Sequence, residues 1–419
     1  MKKYITFILL ITMFSLISIT TSFAAPSAPI VYVSVDGTGD YNCDGIDDQV
    51  EINSALQLVA ENPEYTTVYL RAGTYVIDNT IYIGSNTTLT GDSTTVLTLK
   101  NGAIWEKYKP IIMQKDSTGN SGITICGFKI DGNDVNITQG INVDSKLIPK
   151  PIVNILPGQF YYTMMSFEKC SDINVHDMYL TNGYNDALKL IRCTGIKFYN
   201  NKVYDIGHDG LYANWSKDIK AYDNVIKCRT NSGLRLYQSN NAMFYRNKIF
   251  AAGRGGAGIE IQKYRNGDIM DSIEIFDNEI YNTVFAAIWV TGGNALYPLS
   301  TANVHIHGNK IYNTGTKAVG KYVGGIVTNG FNVTINNNTI DGCYDVGIAI
   351  RDTLYTTYGQ GYEVKINNNT ITNTKPLPGI EAGKTGYGVY IEKPDKYNVI
   401  INNMTYSNNP GGDYVENVY

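Results

Sequence analysis

Three carboxylates and one histidine stand at spacings that bond-cleaving chemistry can use. Asp186 precedes "ALKL", Asp209 precedes "GLYA", Glu260 lies in "GIEIQ", and His208 adjoins Asp209 in "IGHDGLYANW". Cleaving a glycosidic bond takes a proton donor for the leaving oxygen and a second carboxyl group that activates water or attacks. Asp209 and Glu260 are therefore read as the acid–base pair, in an order the sequence leaves open. Asp186 supports them, and His208 is a candidate proton carrier. Each has a plainer reading. An aspartate before a strand can fix a turn through its own backbone, and Glu260 can pair with Arg235 across strands.

Lys189, Tyr212, Arg235, Tyr237, Gln262 and Trp289 surround this set and are read as substrate-binding. Aromatic rings cover the apolar faces of sugars. Lysine and arginine bind uronate carboxylates, arginine bidentately. The same residues suit a second chemistry, β-elimination or epimerisation of a uronate. Lys189 and Arg235 would then neutralise the carboxylate while His208 and Tyr212 carry protons. A third reading is a surface protein that binds glycan without cutting it. His176, His305 and His307 are read as structural.

The elements that position these residues come from a repeat. "IKFYNNKVY", "IKAYDNVIK", "AMFYRNKIF", "IEIFDNEIY", "VHIHGNKIY", "VTINNNTID" and "VKINNNTIT" share an asparagine, from Asn201 through Asn224, Asn247, Asn278, Asn309 and Asn338 to Asn369. The intervals are 23, 23, 31, 31, 29 and 31 residues. A second set interleaves, with inward apolar residues Leu188, Leu211, Leu234, Ile259, Ile288, Ile326, Ile348 and Val389. Short alternating strands at such a period predict an all-β, right-handed parallel β-helix of about ten or more coils. Equivalent residues then stack about 4.8 Å apart. Asp209 and Glu260 would lie two coils apart, about 9–10 Å, with room for a water between them. On this reading Asp209→Asn and Glu260→Gln each reduce turnover by orders of magnitude and leave the fold intact.

Composition narrows the partners. Net charge is -4 with 17% charged residues and 33 tyrosines. No basic stripe calls for nucleic acid, and an extracellular polysaccharide is the expected partner. Residues 1–25 read as a secretory signal, with Lys2 and Lys3 before an apolar run and Ser22-Phe23-Ala24-Ala25 at the cleavage end. The expected location is secreted or cell surface, with no membrane insertion after cleavage. Oligomeric state is open. Residues 26–100 are read as an N-terminal cap and first coils, and 101–419 as the β-helix body. Cys170 and Cys193 fall at equivalent positions, which favours a stacked buried pair over a disulfide. No cofactor is expected, with bound calcium as the alternative: Asp40, Asn42, Asp44 and Glu51 have EF-hand spacing, but the strand-like "VYVSVDGTG" stands where the entering helix should be. The segment is therefore read as a turn feeding a capping helix from about Asp47, with Ile52, Ala55, Leu56 and Val59 on one face.

The opening "DGIDDQVEINSAL", followed by "VYLRAGTYVIDNTIYIGSNTTLTGD", resembles the start of the pectate-lyase-like β-helix superfamily. Residues 31 to 100 are similar, more narrowly, to disaggregatases and related surface proteins of methanogens. The resemblance implies a secreted enzyme that cuts methanochondroitin, a polysaccharide of uronic acid and N-acetylgalactosamine. It lies in the cap and supplies no catalytic motif. Asp186 and Asp209 also occupy positions similar to the "NTDGI" and "DDCI" aspartates of polygalacturonases. The Gly-His-Gly and Arg-Ile-Lys motifs of that family are missing, which argues against polygalacturonase activity itself.

Overall fold

The computed structural model describes residues 29–103, 105, 109–137, 162–250, 256–262, 270–291, 302–316, 324–351, 362–380, 384–394 and 397–416. The expected signal segment lies outside them. Each coil contributes one strand to each of three parallel sheets, of 14, 12 and 12 strands. One coil runs from Thr194–Tyr199 in the first sheet, through Lys202–Ile206 in the second, to Leu211–Asn214 in the third. The chain is a right-handed parallel β-helix. No described helix is long and apolar enough to cross a membrane.

Alternation places one apolar column inside. Leu188 pairs with Leu211, Leu211 with Leu234, and Leu234 with Ile259, in register. All four are fully buried. A single coil cannot bury these side chains, so stability comes from stacking. The outward column of the third sheet also stacks as expected: Lys189, Tyr212, Arg235, Glu260, Trp289 and Val327 are successive partners. Its later members are covered. Val327, Ala349 and Tyr390 are buried in a second apolar cluster with Phe285.

The asparagine column is buried and continuous. Asn278 accepts from the Asn247 backbone N–H and side-chain amide, both at 3.0 Å. It donates to Phe244 O at 2.8 Å and to Asn309 Oδ1 at 3.0 Å. The residue before each asparagine is left-handed, as at Asn200 and Asp223 (φ 54° and 56°). Asn278→Ala removes both roles and leaves buried amides unpaired. It should lower stability by at least about 2 kcal/mol, read from the midpoint of denaturant unfolding.

The helix Gln49–Glu61 buries Ile52, Ala55, Leu56 and Val59. Asn53 donates to Thr80 O at 3.0 Å and accepts from the Tyr82 N–H at 2.8 Å, so the helix satisfies an otherwise open strand edge. The EF-hand reading is not supported. Asp40 accepts from Tyr32 N–H, Asn42 from Ser34 Oγ and Gly39 N–H, and Asp44 from Ile46 N–H. These groups hold turns, while Glu51 gathers instead with Cys43 and Asp48. All six cysteines are unpaired thiols, with Cys170 and Cys193 buried in successive coils.

Candidate active site

The turn from the second to the third sheet places a polar group just before each site strand: Asn185-Asp186, His208-Asp209 and Asn231-Ser232 in successive coils. These turns point their side chains along the wall of the helix. His208 Nδ1 lies 2.7 Å from Asp186 Oδ1 and 3.1 Å from Asp209 Oδ2. The aspartate side chains are 3% and 0% exposed, whereas His208 keeps 26% of its side chain accessible.

Asp209 is saturated. Its Oδ1 accepts from Asn231 Nδ2 at 2.7 Å and the Ser232 N–H at 2.9 Å. Its Oδ2 meets His208 and, at 3.4 Å, Arg235 NH1. Asp186 Oδ1 takes His208 and the Asp209 N–H at 3.1 Å. Asp186 Oδ2 has only a long contact, 3.5 Å from Asn185 Nδ2.

Glu260 forms a second group. Its Oε2 accepts from Ser232 Oγ at 2.7 Å and lies 3.6 Å from Arg235 Nε. Gln262 donates to Glu260 and accepts from Arg235. The space between Asp209 and Glu260 is thus bridged by Arg235 and Ser232. This corrects the expectation of a water held between the two carboxylates.

Charge follows from these contacts. Burial opposes a charged imidazole, but the Asp209 and Asp186 carboxylates outweigh it and push His208 up to about 10. Burial likewise opposes the Asp209 carboxylate, yet His208 and Arg235 hold it below the usual range. Glu260 moves the other way: burial raises it against Arg235 and Ser232. The two carboxylates therefore favour the charged form of His208. Its Nδ1 proton is held by the aspartates. Its Nε2 lies 3.2 Å from the Asn231 amide nitrogen, a donor only, so Nε2 accepts there when the ring is neutral and its proton has no acceptor in Asn231 when the ring is charged.

The predicted binding residues divide. Tyr212 lies under two cations, Lys189 at 5.8 Å and Arg235 at 5.3 Å from its ring centre, with Tyr237 6.3 Å away. Gln262 is buried inside the Arg235–Glu260 group. Trp289, partly buried, packs against Phe285 at 4.8 Å beside the second apolar cluster. Asn231 and Ser232 were missed. The signal was present, because they occupy the pre-strand position already noticed for Asp186 and Asp209.

Solved structures share this fold. The A-module of a mannuronan C-5 epimerase from Azotobacter vinelandii matches with TM-score 0.67 and 15% identity, over 92% of this chain and 98% of that one. A family 28 exopolygalacturonase of Yersinia enterocolitica matches with TM-score 0.57 and 13% identity, over 94% and 79%. The surface adhesin PfbA of Streptococcus pneumoniae matches with TM-score 0.55 and 13% identity, over 82% and 91%. No curated protein sequence is significantly similar. Residues 163–294 match the right-handed β-helix region model and contain the site. Residues 270–418 match the disaggregatase-related family, in coils downstream of it. The chain is a right-handed parallel β-helix protein whose C-terminal coils are similar to the disaggregatase-related family.

Proposed function

We propose that the protein is an extracellular enzyme that hydrolyses an acidic polysaccharide, with His208 as proton donor to the departing glycosidic oxygen. One observation carries this reading: a partly exposed histidine ring held at Nδ1 by two buried aspartates. Asp209 keeps His208 charged and oriented. Asp186 Oδ2, the least occupied oxygen of that pair, activates the attacking water. Arg235 and Lys189, either side of Tyr212, meet the uronate. Glu260, sealed by Ser232, Gln262 and Arg235, positions that arginine. A uronate/N-acetylgalactosamine polymer of the methanochondroitin type is the substrate class we favour, supported by the disaggregatase-related match.

The cation-flanked Tyr212 also favours a second reading, elimination or epimerisation at the uronate. Product masses separate the two. Incubation with methanochondroitin or chondroitin should give fragments that have each gained one water. An unsaturated, ultraviolet-absorbing end would replace hydrolysis with elimination, and an inverted uronate in intact polymer would replace it with epimerisation. Tight binding without new ends would leave a glycan-binding protein.

A further inference from the structure

In several coils the turn from the third sheet back to the first carries a left-handed residue. Four successive coils fill it with Lys169, Arg192, Trp215 and Gln238, at φ 56°, 55°, 49° and 50°. The turn from the first sheet to the second does the same, with Asp177, Asn200, Asp223, Asp277, Gly308 and Asn337 there and Arg246 departing. Left-handed backbone costs most residues about 1–2 kcal/mol, and asparagine, aspartate and glycine tolerate it best. For a bulky residue such as tryptophan it is a genuine outlier. The substitution therefore runs against local preference at four consecutive positions, all on one edge of the sheet that carries His208.

These side chains face outward. Trp215 is 40% exposed. The Arg192 guanidinium lies 4.9 Å from its ring centre. Lys169 and Arg192 keep half of their side chains accessible, and Glu168 offsets one of the two charges. On these coils, two buried acceptors have no hydrogen-bond partner among the described residues: Asn214 Oδ1, one residue before Trp215, and Gln238 Oε1, at the equivalent turn one coil after it. Such orphans are rare in folded proteins and need a reason. An exposed aromatic surface flanked by the Lys169 and Arg192 cations matches a sugar unit that carries a carboxylate.

We propose that Lys169, Arg192, Trp215 and Gln238 form a distal binding strip for an acidic polysaccharide chain. It is on the order of 15 Å along the strand direction from His208. The proposal rests on the acidic-polymer reading of the catalytic group and extends it to a second stretch of the same chain. The strip holds the polymer while His208 acts on a bond elsewhere in it. Remote contacts of this kind raise the productive residence of long substrates most.

The test compares wild type with Trp215→Asn. Asparagine suits the left-handed turn, so this variant should melt no lower than wild type. Its dissociation constant for long chondroitin chains, by calorimetry, should rise about tenfold or more, with a smaller loss for a tetrasaccharide. Equal affinity of both proteins for the long chain overturns the strip and leaves the catalytic proposal standing. A lower melting temperature together with an equal loss for long and short chains assigns Trp215 a packing role and also overturns it. If wild type neither binds nor cleaves chondroitin or methanochondroitin, the acidic-polymer reading fails and takes the strip with it.

Discussion

His208→Asn is expected to lower turnover on an acidic polysaccharide by about 10²- to 10⁴-fold, the usual contribution of a positioned proton donor. Asparagine can keep an N–H directed at the two aspartates, but it has no proton to give to a leaving oxygen. Affinity for uncut polymer should persist, because Lys189, Tyr212 and Arg235 remain. The wild-type pH profile gives a second reading of the same group. The imidazole is held at about 10, so a step that needs imidazolium should run through the neutral range and fail as pH climbs past that value. Stability follows the same group. Its folded value lies above the ordinary 6.5 of a free imidazole. The stabilisation is complete below 6.5 and is lost as pH rises from there through about 10. Wild-type turnover that needed a neutral imidazole, rising across pH 9 to 11, would remove His208 as the acid.

Asp209→Asn should be the most damaging isosteric change. Four donors converge on this carboxylate, two on each oxygen: Asn231 and Ser232 on one, His208 and Arg235 on the other. An asparagine offers one oxygen and one NH₂. Either orientation sets the NH₂ against two donors in a fully buried place. It also leaves Glu260 as the remaining carboxylate of Arg235 and Asp186 as that of His208. Breaking a buried charge network in this way costs about 3–5 kcal/mol. Thermal and denaturant unfolding should both show the loss. Titration of the His208 ring by NMR should show its value falling toward the ordinary range, and turnover at neutral pH should fall with it. This replaces the expectation that the variant folds normally. An Asp209→Asn protein with wild-type stability and an unmoved His208 would mean the network is not built as described.

The different legibility of fold and site has a physical cause. Alternation in "DALKLI" and "SGLRLY" fixes which side chains face inward, because strand geometry has a period of two. Recurrence of the asparagine fixes which coils stack. Both signals depend on backbone geometry shared by every coil. The site does not. Asp186, His208 and Asp209 stand in turns, where no period dictates direction. Whether a turn aspartate faces a substrate or a neighbouring backbone N–H depends on the next coil, and here the Ser232 N–H captures Asp209. The column of candidates was therefore readable, but not their burial. Trp289 shows a related effect: its outward direction is set by the strand, but Phe285 and the apolar cluster it packs against come from other parts of the coil path. Trp215 left no trace in the strand pattern, because it becomes conspicuous only when its backbone angle is known.

The buried asparagines also act as a ruler. Each side-chain nitrogen donates forward to the next coil and each oxygen accepts from the coil behind, so the column has one polarity and cannot reverse a member without breaking two neighbours. Its ticks stay aligned whether the chain between them takes 23, 29 or 31 residues. Extra sequence must therefore leave and rejoin away from that corner, around the third sheet, where the candidate site is. The scaffold thus confines length variation to the walls of the site: a coil can be lengthened to reshape what it binds without moving the coils on either side.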